Sequence, residues 1–178
     1  MTSTFEIPRL SRRCFGVFCA GFAVSACMGG PEGPAIYANL SQAGTALNAG
    51  EAASLINAYR QTEGLAPVRV NNTLMTVATT ESRAIAAKAG AAGRVAPIPG
   101  LKDRLAALGY NAVSVEQNVS AGYFTMAEAF SGWRQSDSHR DTLLAPAASD
   151  MGIAALRVPN AKYKVYWTLI MAAPTGAA

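Results

Sequence analysis

The sequence predicts an α+β domain, and three features carry that expectation. Apolar residues recur at helical spacing between Asn48 and Gln135, with one extended stretch from Ser114 to Gly122. Two strand-like runs close the chain between Asp150 and Ala172. The residues before Asn48 hold neither period. With 178 residues, 51% hydrophobic and only 15% charged, the chain is long enough for one well-buried core and too apolar to be disordered.

Taken in order, residues 1–26 read as an export signal. Arg12 and Arg13 precede an apolar run, Cys14 to Ala26, that is right for a signal peptide and too short to span a bilayer. Ser11-Arg12-Arg13-Cys14-Phe15 resembles the twin-arginine pattern, although a general secretory signal also wants basic residues there. Val24-Ser25-Ala26-Cys27 resembles a bacterial lipobox, which makes Cys27 the expected lipidation site; the alternative is an N-terminal anchor with a coincidental cysteine. Residues 27–47, rich in Gly, Pro and Ala, read as a tether with a short docking segment around Ile36 and Leu40. The folded domain is expected over residues 48–174. Cys14, Cys19 and Cys27 all precede it, so it has to stand without disulfides.

Asn48 and Glu51 have capping-box spacing, and Ala52, Leu55, Ile56 and Tyr59 form the stripe of a first helix ending near Gly64. Arg60 lies off that stripe and reads as a surface ion-pairing residue. Asn71 or Asn72 caps a second helix with Leu74, Met75, Ala78, Ile85 and Ala89 inward. Leu101, Leu105 and Leu108 mark a third, closed by Gly109. Thr125 and Glu128 start the helix that carries Met126, Ala129, Phe130 and Trp133. Ser136, Asp137 and Ser138 are expected to cap the turn that holds His139, the only histidine. Asp150–Val158 and Tyr163–Ala172 read as a hairpin joined at Pro159-Asn160-Ala161-Lys162. The last strand is apolar on both faces beyond Val165 and so is expected in the middle of its sheet.

Trp133, Ser136, His139, Arg140, Leu143, Leu144, Pro146, Gly152 and Ile153 fall in register with the signature of the CAP superfamily (cysteine-rich secretory, antigen 5 and pathogenesis-related proteins). Asn57, Arg60, Gly64 and Leu65 resemble its bacterial opening helix. The resemblance implies a three-layer α-β-α sandwich with a small, mainly antiparallel sheet. It also implies a cleft that in some members gathers two histidines and two acidic residues around a divalent metal. Here Ala96-Pro97 replaces the first histidine, Gln117 falls at the first acid position with Glu116 where a glycine is usual, and Ser136 lies near the second acid. Only His139 clearly survives, too few ligands for a catalytic zinc.

The expectation is therefore a CAP domain with a degenerate metal site, no catalytic residues, no metal and no cofactor. Gln117, Asn118, Ser136 and His139 are its ligand-binding candidates, with a lipid or peptidoglycan ligand. His139 reads as a tie between the Trp133 helix and the Gln117–Asn118 strand, Arg140 as a donor to loop carbonyls, and Asn118 as an organiser of the cleft backbone. Cys27 places the protein in the cell envelope, on the periplasmic side of the outer membrane if the cell is Gram-negative, since Met28 rather than Asp follows it. The rivals are an envelope hydrolase using His139 and Glu116, which needs a one-residue bulge to bring Glu116 round, and a structural lipoprotein contacting other envelope proteins. Beyond Cys27 the chain carries twelve basic and ten acidic side chains, evenly scattered, which excludes a nucleic-acid surface.

Overall fold

Polar caps start two of the helices that support the site. The Asn48 side chain accepts from the Glu51 amide at 3.1 Å and opens α1, Ala49–Thr62. Glu51 then reaches away from the cap to accept from the Ile36 amide at 3.2 Å, clasping a 3₁₀ turn, Ala35–Tyr37. Thr125 and Glu128 form a complete capping box at the start of α4, Met126–Gln135. These coordinates are a computed structural model describing residues 33–92 and 94–176. The signal segment and Cys27 lie outside the described residues.

Between the caps run β1, Arg69–Val70; α2, Asn72–Ala92; α3, Leu101–Ala107; and β2, Ala112–Ala121. After α4 come α5, Asp137–Leu143, and the hairpin of β3, Asp150–Arg157, and β4, Val165–Pro174. The sheet order is β1-β3-β4-β2, with β1 parallel to β3 and the other pairs antiparallel. The apolar last strand is thus interior, as its sequence predicts. The two-residue β1 is not legible in the sequence, because a strand that short carries no alternation.

Residues alternate faces along a strand, so the sheet sorts its neighbours into two layers. Val165, Trp167, Leu169 and Met171 of β4 join one core with Ile56 of α1, Met126, Phe130 and Trp133 of α4, and Leu143 of α5. Ile170 and Ala172 pack with Leu74 and Ala78 of α2 and Leu105 of α3, and Tyr166 with Ile85 and Ala89 further along α2. The result is the α-β-α sandwich, in which β3 can approach α2 closely because of Gly152. A methyl group there would overlap the Leu74 backbone.

Trp133 is fully buried at 6.0 Å and 89° from Trp167, an edge-to-face pair. Each indole nitrogen has an acceptor: Trp133 Nε1 donates to Ser120 Oγ at 3.0 Å, and Trp167 Nε1 to the Tyr123 carbonyl at 2.9 Å. The far end of the sheet is fixed by Asp150, buried, whose carboxylate accepts from Tyr110 Oη at 2.8 Å and pairs with Arg69 Nε at 2.6 Å. Burial, and then the bond to Asp150, push the Tyr110 hydroxyl well above the usual phenol range.

Arg60 corrects the sequence expectation. It is not a surface residue; its side chain has no solvent exposure. Its Nε donates to the Ala66 carbonyl at 2.9 Å, Nη1 to Leu143 at 2.9 Å and Ala145 at 3.0 Å, and Nη2 to Ala148 at 3.3 Å. The helical period puts Arg60 one turn beyond Ile56, on the buried side of α1, and three of its four acceptors, at the end of α5 and in the loop into β3, lie more than eighty residues away. Removing the guanidinium leaves the buried Leu143 and Ala148 carbonyls without this donor, each costing about 1–3 kcal/mol if unsatisfied, and also frees the half-buried bonds to Ala66 and Ala145. We expect Arg60→Met to lower stability by at least about 3 kcal/mol in urea unfolding, and Arg60→Lys to recover little of it, since a point charge lacks the planar fork. A variant of unchanged midpoint would show that water replaces these bonds without cost.

Candidate functional site

The site is built where α5 lies against the edge strand β2. Ser114, Glu116, Asn118 and Ser120 alternate with Val115, Gln117, Val119 and Ala121, and the register with β4 is unbroken from Ser114 to Ala121. Glu116 pairs with Met171 and Asn118 with Leu169, both on the face towards α4 and α5. Gln117 pairs with Ile170, on the face towards α2. No bulge is needed to bring Glu116 to the His139 side. Gln117 lies on the opposite side of the sheet from His139, partly buried, its Nε2 without a hydrogen-bond partner.

Asn118 is fully buried and its Nδ2 donates to the His139 carbonyl at 2.8 Å. The tie between strand and helix turn therefore runs through the His139 backbone, rather than through its ring. The ring is half-buried, and desolvation lowers its pKa below 6.5, so the imidazole is neutral at neutral pH. Ser136 stands at the junction of α4 and α5, with the extended backbone of an N-cap, but the expected capping by its hydroxyl is absent. Arg140, expected on loop carbonyls, instead has Nη2 at 2.9 Å from Asp137 Oδ1, one turn back on the same helix. Arg60 is the residue that holds those carbonyls.

Beside this junction an open groove of about 530 Å³ is lined by Ser114, Glu116, Ser138, Asp141 and Thr142, with Ala145, Pro146 and Ala147 as an apolar margin. The hydroxyls and two carboxylates suit a ligand rich in hydroxyl or amine donors. Sequence reasoning missed Ser114, Asp141 and Thr142. The alternation of polar residues at 114, 116, 118 and 120 was the available signal for the β2 contribution.

The fold and this junction define a class: a single α-β-α sandwich whose Trp-to-His helix pair packs on the edge strand. Residues 53–171 match the model of the cysteine-rich secretory protein (CAP) family, and the chain belongs to that family. Its fold is shared by a cysteine-rich secretory protein from Staphylococcus aureus (TM-score 0.56, 21% identity, covering 68% of this chain and 36% of that one). It is shared equally by an extracellular protein containing an SCP domain from Bacillus anthracis (TM-score 0.56, 20% identity, 70% and 39%). An outer surface protein from Borrelia burgdorferi has the same TM-score, 0.56, at 15% identity, covering 73% of this chain and 98% of that one. The chain therefore spans under two fifths of the Staphylococcus and Bacillus proteins, and nearly all of the Borrelia one. No curated protein matches the chain.

The residues present do not fit the divalent metal that the family resemblance implies. Among the described residues no three His, Cys, Asp or Glu side chains come together to share an ion. Gln117 faces away, and a single imidazole outside any cluster of three such side chains falls short of the three or four ligands of a tight zinc site. We expect calorimetry of zinc into the protein to show no saturable one-to-one binding at micromolar concentration. One tight equivalent, lost on His139→Ala, would show that a ligand set closes around His139 after all.

The lowered pKa of His139 also has a consequence for stability. The unfolded imidazole takes up a proton near pH 6.5, whereas the folded one resists it to a lower pH. Stability therefore falls as pH drops through about 6.5, and the loss is complete below the folded pKa. His139 is the only histidine, so no other imidazole contributes. Melting curves between about pH 7.5 and 5.5 should fall more steeply for the wild type than for His139→Gln. Parallel slopes would mean that the ring is as well solvated folded as unfolded.

Proposed function

We propose that this is a lipid-anchored protein of the cell envelope, attached through Cys27, whose CAP domain binds a cell-wall ligand without catalysing its turnover. One observation carries the reading: the groove on the His139 side offers hydroxyls and the carboxylates of Glu116 and Asp141 beside a short apolar margin. Such a lining matches the hydroxyls and amines of a peptidoglycan fragment better than the acyl chain of a lipid. The lipobox-like Val24-Ser25-Ala26-Cys27 supports the anchoring, and the extracellular and outer-surface relatives of this fold are consistent with an envelope location. Outer-membrane sorting rests on Met28 alone.

A second reading, an envelope hydrolase, is favoured by one finding: Glu116 shares the sheet face of the His139 helix without any bulge. The two readings separate in one comparison. Saturation-transfer NMR with soluble muropeptides should give signals from the wild type that disappear in the Glu116→Ala, Asp141→Ala double variant and persist in His139→Gln. Absence of any transfer from the wild type would remove the binding proposal. Cleavage of the muropeptides that is lost on His139→Gln would put the hydrolase in its place.

A further inference from the structure

The described part of the segment that follows Cys27, from Gly33 to Leu47, is docked on the domain. Leu40 is buried, and its amide donates to the Phe124 carbonyl at 2.8 Å. Arg157 Nε donates to the Ser41 carbonyl at 2.6 Å. Ile36, held through Glu51, packs against the same core as Leu40. Phe124 and Arg157 lie at one end of the sheet: Arg157 pairs with Val165 at the hairpin, and the Gly122 amide donates to the Val165 carbonyl at 3.0 Å. The segment therefore meets the domain at the β3–β4 hairpin end.

Five residues, and so six Cα–Cα steps, separate Cys27 from Gly33, and a lipid on Cys27 lies within about 20 Å of the docked turn even with that stretch fully extended. This end carries exposed Tyr37 (63%) and partly exposed Phe124 (37%), two of the few large apolar side chains that reach solvent among the described residues. Around them Arg157, Lys162 and Lys164 are exposed. The acidic groups facing the same end, Glu51 and Glu128, are occupied with backbone amides of Ile36 and of Phe124 and Thr125. Aromatic side chains beside basic ones match a headgroup layer, where rings sit at the interface and cations meet phosphates.

We propose that this end, with Tyr37, Phe124, Lys162 and Lys164, rests on the headgroup layer of the membrane that holds the Cys27 lipid. The inference rests on the anchoring reading and deepens it. Its consequence is orientation. Glu116 pairs with Met171, six residues along β4 from Val165, which is about 20 Å of strand. Ala145–Ala147 lie just before Ser149, whose amide bonds Ala172, at the far end of the sheet. The groove is thereby held away from the bilayer, at the opposite end of the sheet.

The test places a fluorophore on single cysteines at exposed positions of the full-length protein purified from membranes: Tyr37→Cys, Lys164→Cys and Ala147→Cys. Each is reconstituted in vesicles containing anionic phospholipid and a nitroxide-labelled lipid quencher. Flotation, with Cys27→Ala as the control, reports the anchor itself. The proposal expects wild type to float, Cys27→Ala to stay behind, and quenching at 37 and 164 at least twofold greater than at 147. Flotation with equal quenching at all three positions, or more at 147, overturns the orientation and leaves the anchor standing. Wild-type protein that does not float removes the anchoring reading, and the orientation with it.

Discussion

The buried Arg60 guanidinium is the constraint on which the rest of the site depends. It draws together the end of α1, the last turn of α5 and the loop into β3 by donating to carbonyls that no sheet or helix satisfies. A cation at the C-terminal end of α5 also opposes the partial negative charge of that end. A guanidinium stripped of water lowers its own proton affinity, which is the direction found for Arg60. It remains charged because arginine starts so far above neutral pH. Without it, α5 would be held mainly by Leu143 and by one hydrogen bond from Asn118 to the His139 backbone.

The second constraint is the alternation of β2. Its even residues face a helical layer, yet they are polar, and two of them are used as fittings: Asn118 holds α5 and Ser120 accepts the Trp133 indole. The other two, Ser114 and Glu116, lie towards the start of the strand and become part of the groove. The same alternation sends Gln117 through the sheet towards α2. A position aligned with a ligand in relatives can thus lie on the wrong side of a sheet when its neighbours take over the packing.

The chemistry of the groove follows from what this arrangement leaves available. One neutral imidazole, half-buried, stands beside rather than within a lining of hydroxyls and carboxylates. That set makes hydrogen bonds to a polar ligand readily and gathers charge around a metal poorly. The shape of the groove then rests on geometry set by Asn118 and Arg60, neither of which lines it.

The sequence by itself determined the helices with strong caps, the inward stripe of α2, the Trp133 burial and the central place of β4. Each is a local property, written in spacing and capping residues within one or two turns. The Trp-to-His signature likewise identified the family, because its residues lie close together along the chain. Only the tertiary structure decided the role of Arg60, three of whose four acceptors lie more than eighty residues away, and the pairing of β1, which is too short to carry a period. It also decided that Glu116, rather than Gln117, shares the His139 side, because the side of a strand is fixed by its register with β4 and by no property of the residue itself.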